Sequence, residues 1–345
     1  MGYLLSGEGL DSVLAELATR YRLYAPVLKV GEGRFTDTDV VRYDFVESIG
    51  QVELAHKSDY AFKELLTPLS ETLFFFTEDE VKVADADERE VIVLLRACDL
   101  HAVRRLDQIY LHNGPEEDWF YRKVRDRVSF ALIGCPEDFD SCFCCSMGTN
   151  VAPEGWLFSL ERDGDGYRCV VADDALDAAF AKAASSTADF EPAHVETNET
   201  RVRVPEAVPV AIYQHQLWDE YTARCITCGR CTLACPTCTC YTMQDVFYTD
   251  NGRVGERRRV GASCMIDGYT NVAGGGQYRR AAGERMRFKV LHKVHDFRKR
   301  FGYDMCVGCG RCDDICPEYI SFSACVNKLA DAVDDLAAEE VQDNA

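Results

Sequence analysis

In the first half of the chain the apolar positions switch between a helical and a strand-like period. Leu10 to Leu17 and Tyr60 to Leu69 recur at helical spacing and predict amphipathic helices, separated by an extended piece from Phe35 to Tyr43. Three apolar runs of strand length follow: Thr72 to Phe76 (TLFFF), Val91 to Leu95 (VIVLL) and Ser129 to Gly134 (SFALIG). After the second run, Leu100, Val103, Leu106 and Tyr110 predict a helix capped by Asp99. Residues 156–172 (WLFSLERDGDGYRCVVA) predict a hairpin turning at Asp163 to Gly166, with Cys169 alternating into the core beside Val171. An Ala-rich helix from Leu176 to Ala184 leads into a stretch rich in Glu, Thr, Val and Pro, from Phe190 to Pro209, which is the expected linker. These elements predict an α/β (α+β) N-terminal domain over residues 1–205.

The second half, residues 206–345, reads as a mostly helical domain. A helix-like piece from Gln214 to Thr222 opens it. Met286, Val290, Val294, Phe297 and Phe301 form one apolar helical stripe, and Gly302 suits its end. Arg298, Lys299 and Arg300 fall in the last turn, where cations complement the helix dipole. The last sixteen residues, from Ala330, carry six acids and no Lys or Arg, which predicts a short helix fraying into a tail.

Composition changes this picture mainly through cysteine. The chain holds 18 cysteines in 345 residues. The start, MGYLLSGEGLDSVLAEL, has early acids and no basic region before an apolar one, so a secretory signal is not expected and a cytoplasmic location is. In a reducing compartment so many thiols point to metal ligation rather than disulfides. No apolar stretch reaches the length of a membrane span. The net charge of −20 argues against nucleic acid as the main partner, but residues 251–300 hold 13 Lys/Arg and 4 Asp/Glu. That basic segment lies in the helical insertion, residues 241–305, as a docking surface, a counterweight to anionic sites or a solvated face.

Two cysteine runs share one spacing: residues 225–236 (CITCGRCTLACP) and 306–317 (CVGCGRCDDICP). It is the bacterial ferredoxin spacing, in which three cysteines of a run hold one [4Fe-4S] cluster and the fourth reaches the other. The expected sets are Cys225, Cys228, Cys231 and Cys316 for cluster 1, and Cys306, Cys309, Cys312 and Cys235 for cluster 2. Structural zinc is the competing interpretation, since CxxC pairs also hold it, but neither run carries a histidine at ligand spacing. A third cluster is expected from Cys98, Cys135, Cys142 and Cys144, with Cys145 as alternative ligand, because two of the strands end in cysteine-bearing turns and CFCC follows. Cys238, Cys240, Cys264 and Cys325 receive no ligand role. His292 and His295 lack a completing ligand set, and Gly274 to Gly276 is a turn rather than a dinucleotide fingerprint. With no such fingerprint, P-loop or HExxH, the chain is expected to have no catalytic residues of its own.

From Cys225 to Leu329 the sequence, including GERRRVGASCMIDGYTNVAGGGQYRR and MRFKVLHKV, closely resembles the iron–sulfur electron-transfer component of the anaerobic sulfite reductases. RACDLHAVRRLD and the CFC-SMGT region resemble the same family and the β subunit of cytoplasmic sulfhydrogenases. The resemblance implies an iron–sulfur subunit of a hetero-oligomer, carrying electrons from a flavin subunit that oxidises NADH to a siroheme subunit that reduces sulfite to sulfide. It implies the eight ferredoxin cysteines as ligands and strengthens the third set. The alternatives are an electron-transfer β subunit of a nickel-iron (sulf)hydrogenase and, from another class, a zinc-binding structural adaptor.

Overall fold

The computed structural model describes residues 2–33, 37–84 and 88–343. The chain forms two compact units, and neither is one continuous stretch. Met1–Asp138, Asn150–Glu196 and Tyr241–Gly261 make the first; Phe139–Thr149, Thr197–Cys240 and Ala262–Ala345 make the second. The segments of the two units alternate along the chain.

The first unit is an α/β fold with a mixed sheet. Its strands are β1 (Gly2–Ser6), β2 (Tyr21–Lys29), β3 (Val40–Val46), β4 (Ser70–Phe76), β5 (Val81–Val83), β6 (Glu90–Leu95), β7 (Val128–Ile133), β8 (Phe158–Asp163), β9 (Gly166–Val171), β10 (Ser186–Ala188), β11 (Tyr241–Phe247) and β12 (Gly255–Gly261). Its helices are α1 (Gly7–Leu17), α2 (Ala97–Tyr110), α3 (Trp119–Arg125) and α4 (Asp174–Ala183). Eight strands form one sheet in the order β10-β1-β9-β8-β7-β6-β2-β3, with β2, β6, β7 and β8 running parallel. The parallel centre explains why VIVLL and SFALIG read as continuous apolar runs, since strands there are covered on both faces. Ile92, Leu94, Ala131 and Ile133 turn to the core that also buries Leu10, Val13 and Leu14 of α1 and Phe180 of α4. The alternate residues Val93, Leu95, Phe130 and Leu132 are buried as well. The predicted hairpin is β8–β9, and Cys169 is fully buried on it.

Three local expectations change. The helix expected over Tyr60 to Leu69 is only a single 3-10 turn, Phe62–Glu64. Pro68 ends the segment and restrains Thr67, leaving too few residues for a marginal helix to form. Asp99 does not cap α2: Arg96 holds the cap position, and the buried Asp99 lies within the first turn, where a carboxylate still favours the dipole. The extended piece from Phe35 to Tyr43 appears as β3, beginning at Val40; Phe35 and Thr36 lie outside the described residues.

The insertion beginning at residue 241 is not helical at its start. β11 and β12 form a hairpin that joins β4 and β5 in a four-stranded antiparallel sheet, order β11-β12-β4-β5. Arg259 of β12 is buried, and its guanidinium donates to Glu71 and Asp118. Glu256, buried beside it in sequence, accepts from Arg258, Thr72 and Tyr248, which hold its carboxyl down at about 2. A depressed carboxyl stabilises the fold above the unfolded value, 4.5, and loses that contribution as pH falls toward about 2. E256Q is therefore expected to flatten the fall of the melting temperature across that acid window, and an unchanged acid slope would refute the assignment.

The second unit holds α5 (Asp219–Arg224), α6 (Arg230–Ala234), a short hairpin β13 (Asn271–Val272) and β14 (Gly276–Gln277), α7 (Ala282–Leu291), α8 (Phe297–Phe301), α9 (Arg311–Asp314) and α10 (Phe322–Asp343). One π turn, His292–Asp296, joins α7 to α8, so the predicted stripe runs as one interrupted helix. Met286, Val290 and Val294 of that helix pack into a core with Trp218, Tyr221, Met265, Phe322, Val326 and Leu329. Gly302 ends it in the left-handed conformation, φ 86°. The C-terminal segment is a 22-residue helix rather than a short fraying one. It starts at a serine cap, Ser321 Oγ accepting from Ala324 N, and Asp313 accepts from Phe322 N. Cys325, Val326, Leu329 and Ala330 are buried along it, which carries the helix into the acidic stretch.

Candidate metal centres

Both cysteine runs fold the same way. In each, the residue before the second cysteine and the glycine after it take left-handed φ: Thr227 and Gly229 in the first, Gly308 and Gly310 in the second. Those two turns curl the backbone around its own thiols, and Gly229 and Gly310 then open α6 and α9, which carry the third cysteine of each run. Backbone N–H groups point back at sulfur: Gly308 N to Cys306 Sγ at 3.5 Å and Ile320 N to Cys316 Sγ at 3.4 Å. Such N–H···S bonds stabilise thiolates and tune a bound cluster.

Two cavities lie among these turns. Cys225, Cys228, Cys231 and Cys316 line the first, together with Met265, Met286 and Lys289. Cys235, Cys306, Cys309 and Cys312 line the second, with Phe143, Thr237, Lys289 and Lys293. Cys312 also borders the first. The fourth cysteine of each run thus reaches the cavity of the other. The electrostatic neighbours agree: the Cys225 thiol is raised by burial and then by Cys231, Cys228 and Cys316, while Cys306 is pushed up to about 12 by burial and feels Cys235 and Cys309. Thiols must lose their protons to ligate a metal, so cluster assembly at these cysteines would release protons. None of the 18 cysteines is in a disulfide.

The donor set is sulfur and fits an iron–sulfur cubane. Three cysteines of one run and the fourth of the other line each cavity, and Cys312 borders both. A tetrahedral zinc needs four sulfurs about 2.3 Å from one point.

Sequence reasoning missed the lysines. Lys289 and Lys293 stand one helical turn apart, each 3% exposed, and Lys289 lines both cavities. Lys293 Nζ donates to Thr237 Oγ1 at 2.7 Å. The π turn has a role of its own. Phe297 N bonds His292 O, which frees the carbonyl of Lys293 to accept from Met305 N (2.9 Å) and Cys306 N (3.2 Å), tying the second run to the helix. The only sequence signal was lysine beside an apolar stripe, which usually means a solvated flank. His292 stacks on Phe288, and burial lowers its pKa to about 4, so it packs as a neutral ring.

The centres differ in access. Cys228 is exposed, as are Ile226 (57%), two residues before it, and Tyr319 (88%), three residues past Cys316, while Cys306 and Cys309 are buried. Segment 139–149 covers the second run: Phe143 N donates to Gly308 O (2.8 Å), Thr149 Oγ1 to Val307 O (2.7 Å) and Cys142 Sγ to Cys309 O (3.5 Å). Asn198 Oδ1 accepts from Cys144 Sγ and Cys145 N. In the first unit, Cys98 is the second residue of α2 and Cys135 lies two residues past β7, so both follow the C-terminal ends of adjacent parallel strands. Cys240 and Cys264 are hydrogen bonded thiol to thiol, and Cys325 is bonded to Tyr221.

Residues 224–320 match the family model of the 4Fe-4S dicluster domain. This stretch is a dicluster domain. Across most of its length the chain is also 28% identical, over 313 residues, to sulfhydrogenase 2 subunit beta of Pyrococcus furiosus, an alignment covering 87% of this chain and 89% of that protein. The two proteins are related, and the paired runs are the part that the family description explains. Among the described residues no helix is long and apolar enough to cross a membrane.

Proposed function

We propose that the chain is the iron–sulfur electron-transfer subunit of a hetero-oligomeric oxidoreductase, with cluster 1 on Cys225, Cys228, Cys231 and Cys316 and cluster 2 on Cys306, Cys309, Cys312 and Cys235. The observation that carries this is that the first three cysteines of each run line a cavity together with the fourth cysteine of the other run, with Cys312 bordering both cavities. A [4Fe-4S] cluster supplies one-electron exchange with little structural change. The protein's part is to hold the two sites together, exclude water from the second, and leave the first open at Cys228, where a partner can approach.

For the complex we propose an anaerobic sulfite reductase in the cytoplasm: a flavin subunit oxidising NADH on one side and a siroheme subunit reducing sulfite on the other. The likeness between residues 225 and 329 supports it. Two-electron donation and six-electron reduction require a one-electron relay between them. A hydrogenase-type complex is the second interpretation, favoured by the name of the relative and by the length over which it aligns. Purification of the tagged chain with its partners separates the two: siroheme supports the first, a nickel-iron subunit without siroheme the second.

A third cluster on Cys98, Cys135, Cys142 and Cys144, with Cys145 as alternative ligand, rests on the sequence pattern and the family resemblance. Anaerobic iron and sulfide analysis tests both points. About twelve irons per chain are expected with three clusters and about eight with two, and C142A should lower the former by about four. A colourless chain holding zinc and no labile sulfide would overturn the relay and leave the zinc adaptor.

A further inference from the structure

Lys289 and Lys293 are buried cations in a net-acidic chain. Among the described residues neither forms an ion pair with a carboxylate, and a buried ammonium without an anion is strongly disfavoured. What surrounds them is sulfur. Cys231, Cys312 and Cys238 face Lys289, which also hydrogen bonds Cys231; Cys235, Cys238 and Cys306 face Lys293.

We propose that Lys289 and Lys293 are potential-setting residues, Lys289 as a fixed positive charge shared by both cluster sites and Lys293 as one belonging to the second. The inference rests on the dicluster relay proposed above. Each cluster becomes more negative by one charge when it accepts an electron. A nearby buried cation therefore favours the reduced state and raises the reduction potential, and low-dielectric surroundings leave that interaction little screened. Lys289 borders both cavities, so its charge acts on the two together; Lys293 borders only the second and is fixed there by Thr237. The π turn holds Lys293 in that position while its carbonyl grips the backbone of Cys306. The helix is thus both the clamp on the second run and the carrier of its counter-charge.

The test is a redox titration of the full chain, purified anaerobically with its clusters, following each centre by electron paramagnetic resonance with iron content measured alongside. K289M is expected to lower both midpoints by at least about tenfold in the reduction equilibrium, about 59 mV for one electron. K293M should lower the second midpoint by that order and move the first much less, and K289R should leave both near the wild-type values. Midpoints unchanged in K289M at full iron content overturn the inference. Loss of iron from K289M but not from K289R supports it, because the charge rather than the stem is then what the sites need. Equal loss from both overturns it in favour of packing. A wild-type chain without iron would fail the relay itself, an outcome distinct from iron-loaded chains whose midpoints ignore the lysines.

Discussion

C316A is expected to empty the first centre, although the residue belongs to the second run. Cys316 lines the cavity of Cys225, Cys228 and Cys231, and it is among the sulfurs felt by Cys225. Iron in the dicluster pair should fall from about eight to about four, as in C225A. The decisive measurement is a double-variant comparison. C225A/C316A should lose no more iron than C225A, since both thiols serve one site, whereas C306A/C316A should lose both clusters. C235A should pair with C306A in the same way. If C316A proved additive with C225A and silent with C306A, the crossing would be wrong and each run would hold its own cluster.

The second large effect concerns one turn of each run. Gly308 has φ +66°, and a Cβ there would lie 2.6 Å from backbone atoms of Phe143 and Cys144. Backbone cannot yield as a side chain would. Thr227 occupies the equivalent turn of the first run at φ 56°. Exchanging the two residues should therefore be asymmetric. G308T combines left-handed strain with overpacking, about 2–5 kcal/mol together, and should dislodge segment 139–149 from the second centre. T227G relieves strain while freeing the unfolded chain, and should change stability by about 1 kcal/mol or less. Thermal loss of cluster absorbance measures both, and equal sensitivity of the two sites would contradict the covering role of Phe143 and Cys144.

The contrast between these turns also marks what was legible in the sequence. A cluster turn is local: three cysteines, a glycine after the second and a short helix suffice, so the runs and their proposed crossing are read from spacing alone. The α/β character of the first unit was legible for the same reason, because β6, β7 and the β8–β9 hairpin each announce themselves within a few residues. Pairings across long separations were not. β12 reads as a basic segment, GERRRVG, and becomes a strand only because β4, far away in sequence, offers it an edge, with Glu71 beside Asp118 to take up Arg259. The role of Lys289 and Lys293 was hidden because lysine beside an apolar stripe signals solvent unless something anionic lies within the core. Even the length of α10 depended on tertiary context, since the buried Cys325, Val326 and Leu329 hold a helix that acidic composition alone would let fray.

The exchange of segments between the two units bears on biosynthesis. A chain leaving the ribosome has all of β4 and β5 early, but β12, their hydrogen-bonded neighbour, emerges only with residues 255–261. In the same way, the cover for the second run, residues 139–149, is made long before Cys306. Each unit must wait for residues lying beyond part of the other, so no single cut yields either one whole. A fragment beginning at residue 206 would carry β11 and β12 without β4, leaving an open strand edge of the kind that seeds aggregation. Both units are thus completed late in synthesis, the first with residues 241–261 and the second with the segment that carries the last cysteine run.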